Sequence, residues 1–456
     1  MNYYIQTFGC QANKADSERM AGVLEAMGFT QTDDLNSTDV VVLNTCSVRQ
    51  SAEDRVYHRM ESLRELKKTK PNLKIVVAGC MVGPHGSTPR DSKIKDRLEG
   101  ADKLVGTQDY SKLWEIFKDL KPTTGEYISK DYMSKKMEKD HGFVLISSGC
   151  NNFCTFCIVP FARGKEISRP MDEIIQEVKH LLQLGYKKIT LVGQNVNSYG
   201  ADLILGRPLG GDRVQINEMK YRKRHSIVVS DEINSDQAGP FQSTQEIEAA
   251  ISTVKEYTLP NNKKIEPVYV KHLGRIRVPT LFPYLVETVA QIPGVEKLSF
   301  MSSNPWDFSD ELIKVISQNP NIDRQIHLPL QSGDNQVLKR MNRWYTREEY
   351  LNLIEKINNA VPDANITTDI IVGFPSETEE EFQNTLDLVK KVNFKLAFIS
   401  EYSVRPGTAA SMMKDDVPNW DKKKRFQILD EYINNVKHSQ NSHIKIGNTS
   451  RYVIAK

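Results

Sequence analysis

The sequence predicts an α/β protein of two parallel-sheet units: an amino-terminal α/β domain, then a partial (β/α)6 barrel. Three observations carry that expectation. The chain has 456 residues, against the usual ~100–200 per domain. Near the start, apolar runs at 2–10, 39–46 and 73–80 alternate with helix-like stretches at 15–27 and 51–68. That strand–helix alternation implies a parallel sheet. Further on, six strand-like runs, 143–147, 188–193, 297–302, 325–330, 366–372 and 395–402, are mostly separated by helix-like segments such as 171–184 and 379–392. Six such units, lacking the last two of a complete barrel, place functional residues at the carboxyl ends of the strands.

Composition removes several classes. Apolar residues at 39% and charged residues at 26% exclude collagen-like and wholly disordered chains. Lys plus Arg number 61 against 58 Asp plus Glu, a net charge of +3, so any RNA surface must be a local patch. No run of ~18 apolar residues spans a bilayer, and residues 1–10 lack the basic start and apolar stretch of a signal peptide. The expected location is the cytosol, with no membrane partner. In a reducing compartment the six cysteines, Cys10, Cys46, Cys80, Cys150, Cys154 and Cys157, read as metal ligands or catalytic groups rather than disulfides.

Each of the first three apolar runs finishes on a cysteine, at intervals of 36 and 34 residues, about one strand–helix repeat. Cys10, Cys46 and Cys80 then fall in loops at the carboxyl edge of adjacent strands, where open α/β sheets carry their sites. The competing reading is three inert core thiols; the shared strand-end position favours a site. The expected division is an amino-terminal domain at 1–120, a polar linker at 121–142 and a barrel at 143–440, interrupted by a polar insertion at about 200–277. The insertion carries the basic run Lys220, Tyr221, Arg222, Lys223, Arg224, His225 and a helix introduced by the capping box Ser243 to Glu246, continuing to Tyr257. It shows no apolar pattern strong enough for a core. Its basic run is either a phosphate contact or, more commonly, a solvated face.

Directly after the first barrel strand comes Cys150-Asn-Asn-Phe-Cys154-Thr-Phe-Cys157. A CxxxCxxC loop can wrap three thiolates around a 4Fe-4S cluster and leave the fourth iron open. A zinc site needs a fourth ligand to close its tetrahedron, and no His or Cys lies close in sequence.

A loop of this kind on a six-unit α/β barrel resembles the radical S-adenosylmethionine (SAM) enzymes. The resemblance implies SAM chelated to the open iron and cleaved by electron transfer to a 5′-deoxyadenosyl radical. It places Phe156 near the adenine and Gly193, Gln194 and Asn195 near the methionyl group. Segments 149–160, Arg163-Gly164, Ser168-Arg169-Pro170, 193–199, 44–49, Gly79-Cys80-Met81, 105–108, 327–333, Met341-Asn-Arg343, 368–375 and 405–408 together resemble the MiaB-type tRNA methylthiotransferases. In that family the amino-terminal cysteines, here Cys10, Cys46 and Cys80, hold a second 4Fe-4S cluster. A sulfur on that cluster accepts a methyl group from one SAM while a second SAM supplies the radical. The methylthio group goes to C2 of N6-isopentenyladenosine beside the tRNA anticodon. Implied partners are tRNA, an electron donor such as flavodoxin or ferredoxin, and a sulfur donor of unknown identity.

The resemblance also assigns Gln331, Asp369 and Gly373 to the cofactor pocket, although glycines such as Gly333 and Gly373 also serve turns. Arg163 and Arg169 suit phosphate or carboxylate partners, or ordinary ion pairs. Lys422, Lys423, Lys424 and Arg425 read as a solvated face. Residues 441–456 look like only the first strand of the small TRAM β-barrel that usually closes the family, so that module is expected to be missing or truncated. Ser302-Ser-Asn304-Pro305 stands where the family more often has a histidine before the proline, so no proton transfer is assigned there. Relatives act on threonylcarbamoyl-adenosine in tRNA or on a ribosomal protein; residues 194–199 favour the isopentenyl branch. The reading from another class is a non-catalytic RNA-binding protein with structural metal sites.

Overall fold

The computed structural model describes residues 1–48, 50–86, 92–109, 112–120, 141–205, 256–272, 275–276 and 279–435. Strands Asn2–Thr7, Val40–Thr45 and Lys74–Gly79 form the centre of a parallel sheet, with two short strands, Thr30–Gln31 and Lys103–Val105, added at its edges. Neither edge strand was expected from the sequence. Alternation along Val40–Thr45 decides the layers: Val40 and Val42 pack with Met20 and Leu24 of helix Gln11–Ala26, whereas Val41 and Leu43 pack with Val56, Met60 and Leu63 of helix Gln50–Thr69. Both faces are covered, which is why these strands read as unbroken apolar runs. The first helix starts at Gln11 with Cys10 at its N-cap, four residues before the expected start.

The second unit lays its six strands side by side in chain order. His141–Leu145, Lys188–Val192 and Lys297–Phe300 form one parallel set, and Gln325–His327, Asn365–Val372 and Leu396–Glu401 form another. A parallel bridge from Leu298 to Ile322 joins the two sets. Helices Met171–Gln183, Phe282–Ala290, Asp310–Gln318, Arg347–Ala360 and Glu379–Val392 send Ile174, Leu285, Ile316, Ile357 and Leu388 into one core with Ile189, Leu298, Ile326, Ile370 and Ile399 of the strands. Two of these helices are opened by complete capping boxes, Thr346 with Glu349 and Thr378 with Glu381.

Several expectations change. The first barrel strand begins at His141, two residues inside the expected linker. The rest of that linker, the basic run at 220–225, the expected capping-box helix as far as residue 255 and residues 441–456 lie outside the described residues; the expected helix end at Tyr257 is instead strand, Tyr257–Thr258 pairing antiparallel with Lys264–Ile265. The two ends of the insertion are part of the core: Tyr199, Ile204, Leu259 and Ile265 are buried in it. Their backbones are tied to the barrel by Leu281 N–H donating to Tyr199 O (2.8 Å) and by paired bonds between Val268 and Thr280 (2.9 and 3.2 Å). The tetrad 422–425 is not a solvated face throughout. Helix Asn419–Asp430 packs on the sixth strand, so its spacing of three buries Lys422 and Arg425, ion-paired to Asp415 and Glu377, and leaves Lys423 and Lys424 exposed. Among the described residues no helix is long and apolar enough to cross a membrane.

Candidate functional site: two cysteine trios at one domain interface

The barrel trio sits on a loop that the sequence forces into an unusual path. Gly149 has φ +87°, and a Cβ there would stand 2.0 Å from Lys165 O, so only glycine fits. Its N–H donates to Gln194 Oε1 (2.6 Å), and Cys150 N–H donates to Gly164 O (3.2 Å). Phe153 takes φ 48°, the left-handed bend that folds the loop back between Cys150 and Cys154. A second loop clamps the first: Thr155 donates through N to Met341 O (3.0 Å) and through Oγ1 to Arg340 O (2.9 Å), and Asn342 Nδ2 donates to Phe153 O (3.0 Å). Arg343 reaches Cys154 directly, Nη1 to Sγ 3.3 Å. Its guanidinium is buried, lies over Trp306 (4.4 Å to the ring centroid) and donates to Pro329 O (3.0 Å).

The amino-terminal trio forms where the first three strands end. Cys46 and Cys80 are buried and Cys10 is exposed. Gly9, at φ +127°, passes so close that a Cβ would lie 2.8 Å from Cys46 Cβ. Asn13 ties the first two loops together: Oδ1 accepts from Cys10 Sγ (3.3 Å), and Nδ2 donates to Thr45 O (2.8 Å) and Asn44 Oδ1 (3.1 Å). Arg163 reaches the same place from the barrel unit. It is the last residue of the short helix Val159–Arg163, which follows Cys157 almost at once. Its Nη2 meets Asp16 Oδ2 at 2.6 Å with both side chains buried, and its positive charge partly offsets the effect of burial on the Cys80 thiol. Of the two alternatives for Arg163 and Arg169, both are therefore ion-paired. Arg169 holds Glu177 (2.7 Å) and Leu145 O (2.7 Å).

The trios share an electrostatic character. Burial, then the neighbouring Cys80 and Cys10, push the Cys46 thiol up to about 12. Burial, then Cys154, does the same for Cys157, also to about 12. Cys150 is raised well above its ordinary value by burial, then by Glu166 and the other two thiols. Burial raises Cys80 too, partly opposed by Arg163. All six thiols are free. Neighbouring thiols, two of each trio buried, cannot all ionise unless positive charge enters among them, and a soft, cationic iron–sulfur core suits such a donor set.

Beside the barrel trio, the mouth of the first three strands holds buried polar atoms with no protein partner among the described residues. These are Ser147 Oγ, Ser148 Oγ, Asn195 Oδ1, Asn197 Nδ2, Ser303 Oγ and Asn304 Oδ1. Their other ends are fixed: Asn195 Nδ2 donates to Asp307 (2.9 Å), and Asn197 Oδ1 accepts from Asn304 N (2.7 Å). Unsatisfied buried groups are rare and call for a ligand or water. Gly193 lies among them, its Cα facing Ser147 Oγ. Phe156 packs against both the main core and the cluster of Val337, Met341, Phe374 and Tyr402. Gln331 has φ 66° and is tied by its backbone to Asp369 O (2.8 Å), while the Asp369 carboxylate meets His327 Nε2 at 3.3 Å. Gly373 donates its N–H to Glu377 (2.6 Å) and backs onto the Lys422 chain. Gly333 has a packing task, since a Cβ there would be 2.6 Å from Thr385 Cα.

Arg343, Asn342 and Asn13 were given no role from the sequence. Met341-Asn-Arg343 stood out as a segment but offered no chemistry until the fold laid it over the cysteine loop. Nothing near Asn13 marked it.

Fold and loop together define a radical SAM protein, and comparison with known proteins agrees. The sequence pattern of the Radical SAM superfamily matches residues 144–239 and 277–389, and that of the uncharacterized protein family UPF0004 matches 2–106. The fold is similar to that of the radical S-adenosylmethionine methyltransferase TsrM from Kitasatospora setae, with TM-score 0.51 and 12% identity, covering 88% of this chain and 72% of that one. Two relatives named tRNA-2-methylthio-N(6)-dimethylallyladenosine synthase are similar over nearly the whole chain. The one from Acetivibrio thermocellus is 37% identical, over 95% of this chain and 76% of its own. The one from Thermotoga petrophila is 36% identical, over 100% of this chain and 86% of its own. The chain belongs to this tRNA-2-methylthio-N(6)-dimethylallyladenosine synthase family.

Proposed function

We propose that this protein is a cytoplasmic radical SAM methylthiotransferase that converts N6-isopentenyladenosine beside the tRNA anticodon to its 2-methylthio form. The observation that carries the reading is the pair of free thiol trios, each with buried, mutually repelling members, on two units that meet through the Arg163–Asp16 pair. Cys150, Cys154 and Cys157 would hold one 4Fe-4S cluster, and Cys10, Cys46 and Cys80 a second. SAM would lie along Phe156, Gly193, Gln194, Asn195, Gln331, Asp369 and Gly373. When bound, the clusters and SAM supply one-electron reduction, hydrogen abstraction and a transferable sulfur.

The chain's own residues do the positioning. Gln194 fixes the start of the cysteine loop through Gly149 N–H. Arg343 places a buried positive charge on Cys154. The orphaned amide and hydroxyl groups at the strand mouths offer donors and acceptors to an amino-acid moiety. Substrate tRNA, a one-electron donor of the flavodoxin or ferredoxin kind and a sulfur donor complete the reaction. The matching architecture is a partial (β/α)6 barrel from about 141 to 440 behind an amino-terminal domain at 1–120, with the insertion at about 200–277 and a further segment from 441.

Iron and sulfide analysis after anaerobic reconstitution tests the cluster assignment. About eight irons per chain are expected, falling to about four when Cys10, Cys46 and Cys80, or Cys150, Cys154 and Cys157, are replaced together by alanine. A full complement retained in either triple variant would refute it.

A further inference from the structure

Arg163 belongs to the barrel unit by chain, yet its side chain lies in the amino-terminal site. The guanidinium is 2% exposed and binds Asp16 Oδ2 at 2.6 Å. It approaches Asn13 Oδ1 (3.5 Å), the same oxygen that accepts from Cys10 Sγ, and its positive charge acts on the buried Cys80 thiol. Its backbone is held from the amino-terminal unit as well: Gln108 Nε2 donates to Arg163 O (3.0 Å) and Lys165 O (2.8 Å), and Thr107 Oγ1 donates to Ala162 O (3.2 Å). Side chain and main chain are thus both fixed against the amino-terminal unit, while the barrel's trio ends six residues earlier at Cys157.

We infer that Arg163 is a positioning residue shared by the two centres: it docks the barrel on Asp16 and sets the reduction potential of the amino-terminal cluster through its charge on Cys80. This rests on the cluster assignment above. A guanidinium is always charged and presents a rigid fork, so it can hold a carboxylate and a thiolate at once. In a site this dry its charge is weakly screened. Net charge and hydrogen bonds to cysteine sulfur are the main protein levers on cluster potential, and a nearby cation stabilises the added electron. Arg343 on Cys154 gives the barrel trio its own donor, so the two potentials are set separately.

The test uses the full chain with Cys150, Cys154 and Cys157 replaced by alanine, reconstituted so that only the amino-terminal cluster forms, and an EPR-monitored titration with dithionite. In that background Arg163→Gln is expected to lower the ratio of reduced to oxidised cluster at a fixed poise about tenfold, or ~59 mV. Arg163→Lys should recover most of the shift, and Arg343→Gln should leave the ratio unchanged. Loss of the cluster in Arg163→Gln, with Arg163→Lys titrating as the parent, also supports the charge role. A Gln variant that keeps its cluster and titrates as the parent overturns the inference. So does equal loss in the Gln and Lys variants, which is the mark of a merely structural residue. A triple-alanine protein that takes up no iron overturns the cluster assignment and the inference with it, an outcome distinct from an unshifted potential.

Discussion

Gly193 and Gly333 both follow barrel strands, and neither has a positive φ, so alanine is allowed by the backbone at both. What the added methyl meets differs. At Gly333 it would stand 2.6 Å from Thr385 Cα and 3.0 Å from Asn384 O, both backbone atoms of helix Glu379–Val392. That helix must shift, and overpacking of this kind costs about 1–3 kcal/mol. At Gly193 the nearest atoms are Ser147 Oγ at 2.8 Å and Val196 Cγ1 at 3.3 Å. Both belong to side chains, and among the described residues the hydroxyl has no protein partner to lose, so the stability cost should stay below about 1 kcal/mol. The same methyl covers one of the polar atoms assigned to SAM. Gly193→Ala is therefore expected to weaken SAM binding at least about tenfold, or ~1.4 kcal/mol, with little change in melting. Gly333→Ala should lower the melting temperature by roughly 2–10 °C with SAM affinity retained. Anaerobic equilibrium dialysis of labelled SAM and thermal denaturation of the same reconstituted samples separate the two. Unchanged SAM affinity in Gly193→Ala would refute the placement of the methionyl group at the mouth of the first three strands.

Asp16→Ala leaves the buried Arg163 without its carboxylate and should destabilise the domain interface by about 3–5 kcal/mol; an unshifted urea transition of the amino-terminal unit would contradict that. Cys154→Ala is expected to abolish SAM cleavage, whereas Cys46→Ala should retain some cleavage and lose sulfur insertion; 2-methylthio product from the Cys46 variant would end the division of labour. Burial holds the Glu377 carboxyl up at about 7, outweighing its pairing with Arg425 and the Gly373 N–H. The folded chain therefore keeps this proton between the unfolded value near 4.5 and about 7, so the contribution is full below that window and is lost as pH rises through it. Glu377→Gln should flatten the fall in urea midpoint between about pH 4.5 and 8; parallel curves for the two proteins would exclude this source.

The strands were legible because their signals are local. Val40–Thr45 and Asn365–Val372 are runs rich in β-branched residues ended by polar or glycine-containing turns, and each barrel strand fell within three residues of its expected bounds. Cys10, Cys46 and Cys80 were legible as a set for the same reason: each lies within three residues of the end of a strand. The short Thr30–Gln31 strand has only two residues and no period to read. The early start of the first helix was hidden by Asn13, a polar residue that is buried because it faces the cysteine loops. The link between Arg163 and Asp16 spans 147 residues, and nothing in either neighbourhood announces the other. The same holds for Arg343 on Cys154. Lys422 and Arg425 misled because a basic tetrad is usually solvated, and only the docked helix shows which two of its four charges point inward.

The most direct test is mass spectrometry of nucleosides from isopentenylated tRNA, after anaerobic incubation with the cluster-reconstituted protein, SAM and a reductant. The expected result is 2-methylthio-N6-isopentenyladenosine, formed with both cysteine trios intact and absent when either is replaced. Unmodified isopentenyladenosine, with both clusters verified and 5′-deoxyadenosine still accumulating, would contradict the proposed acceptor.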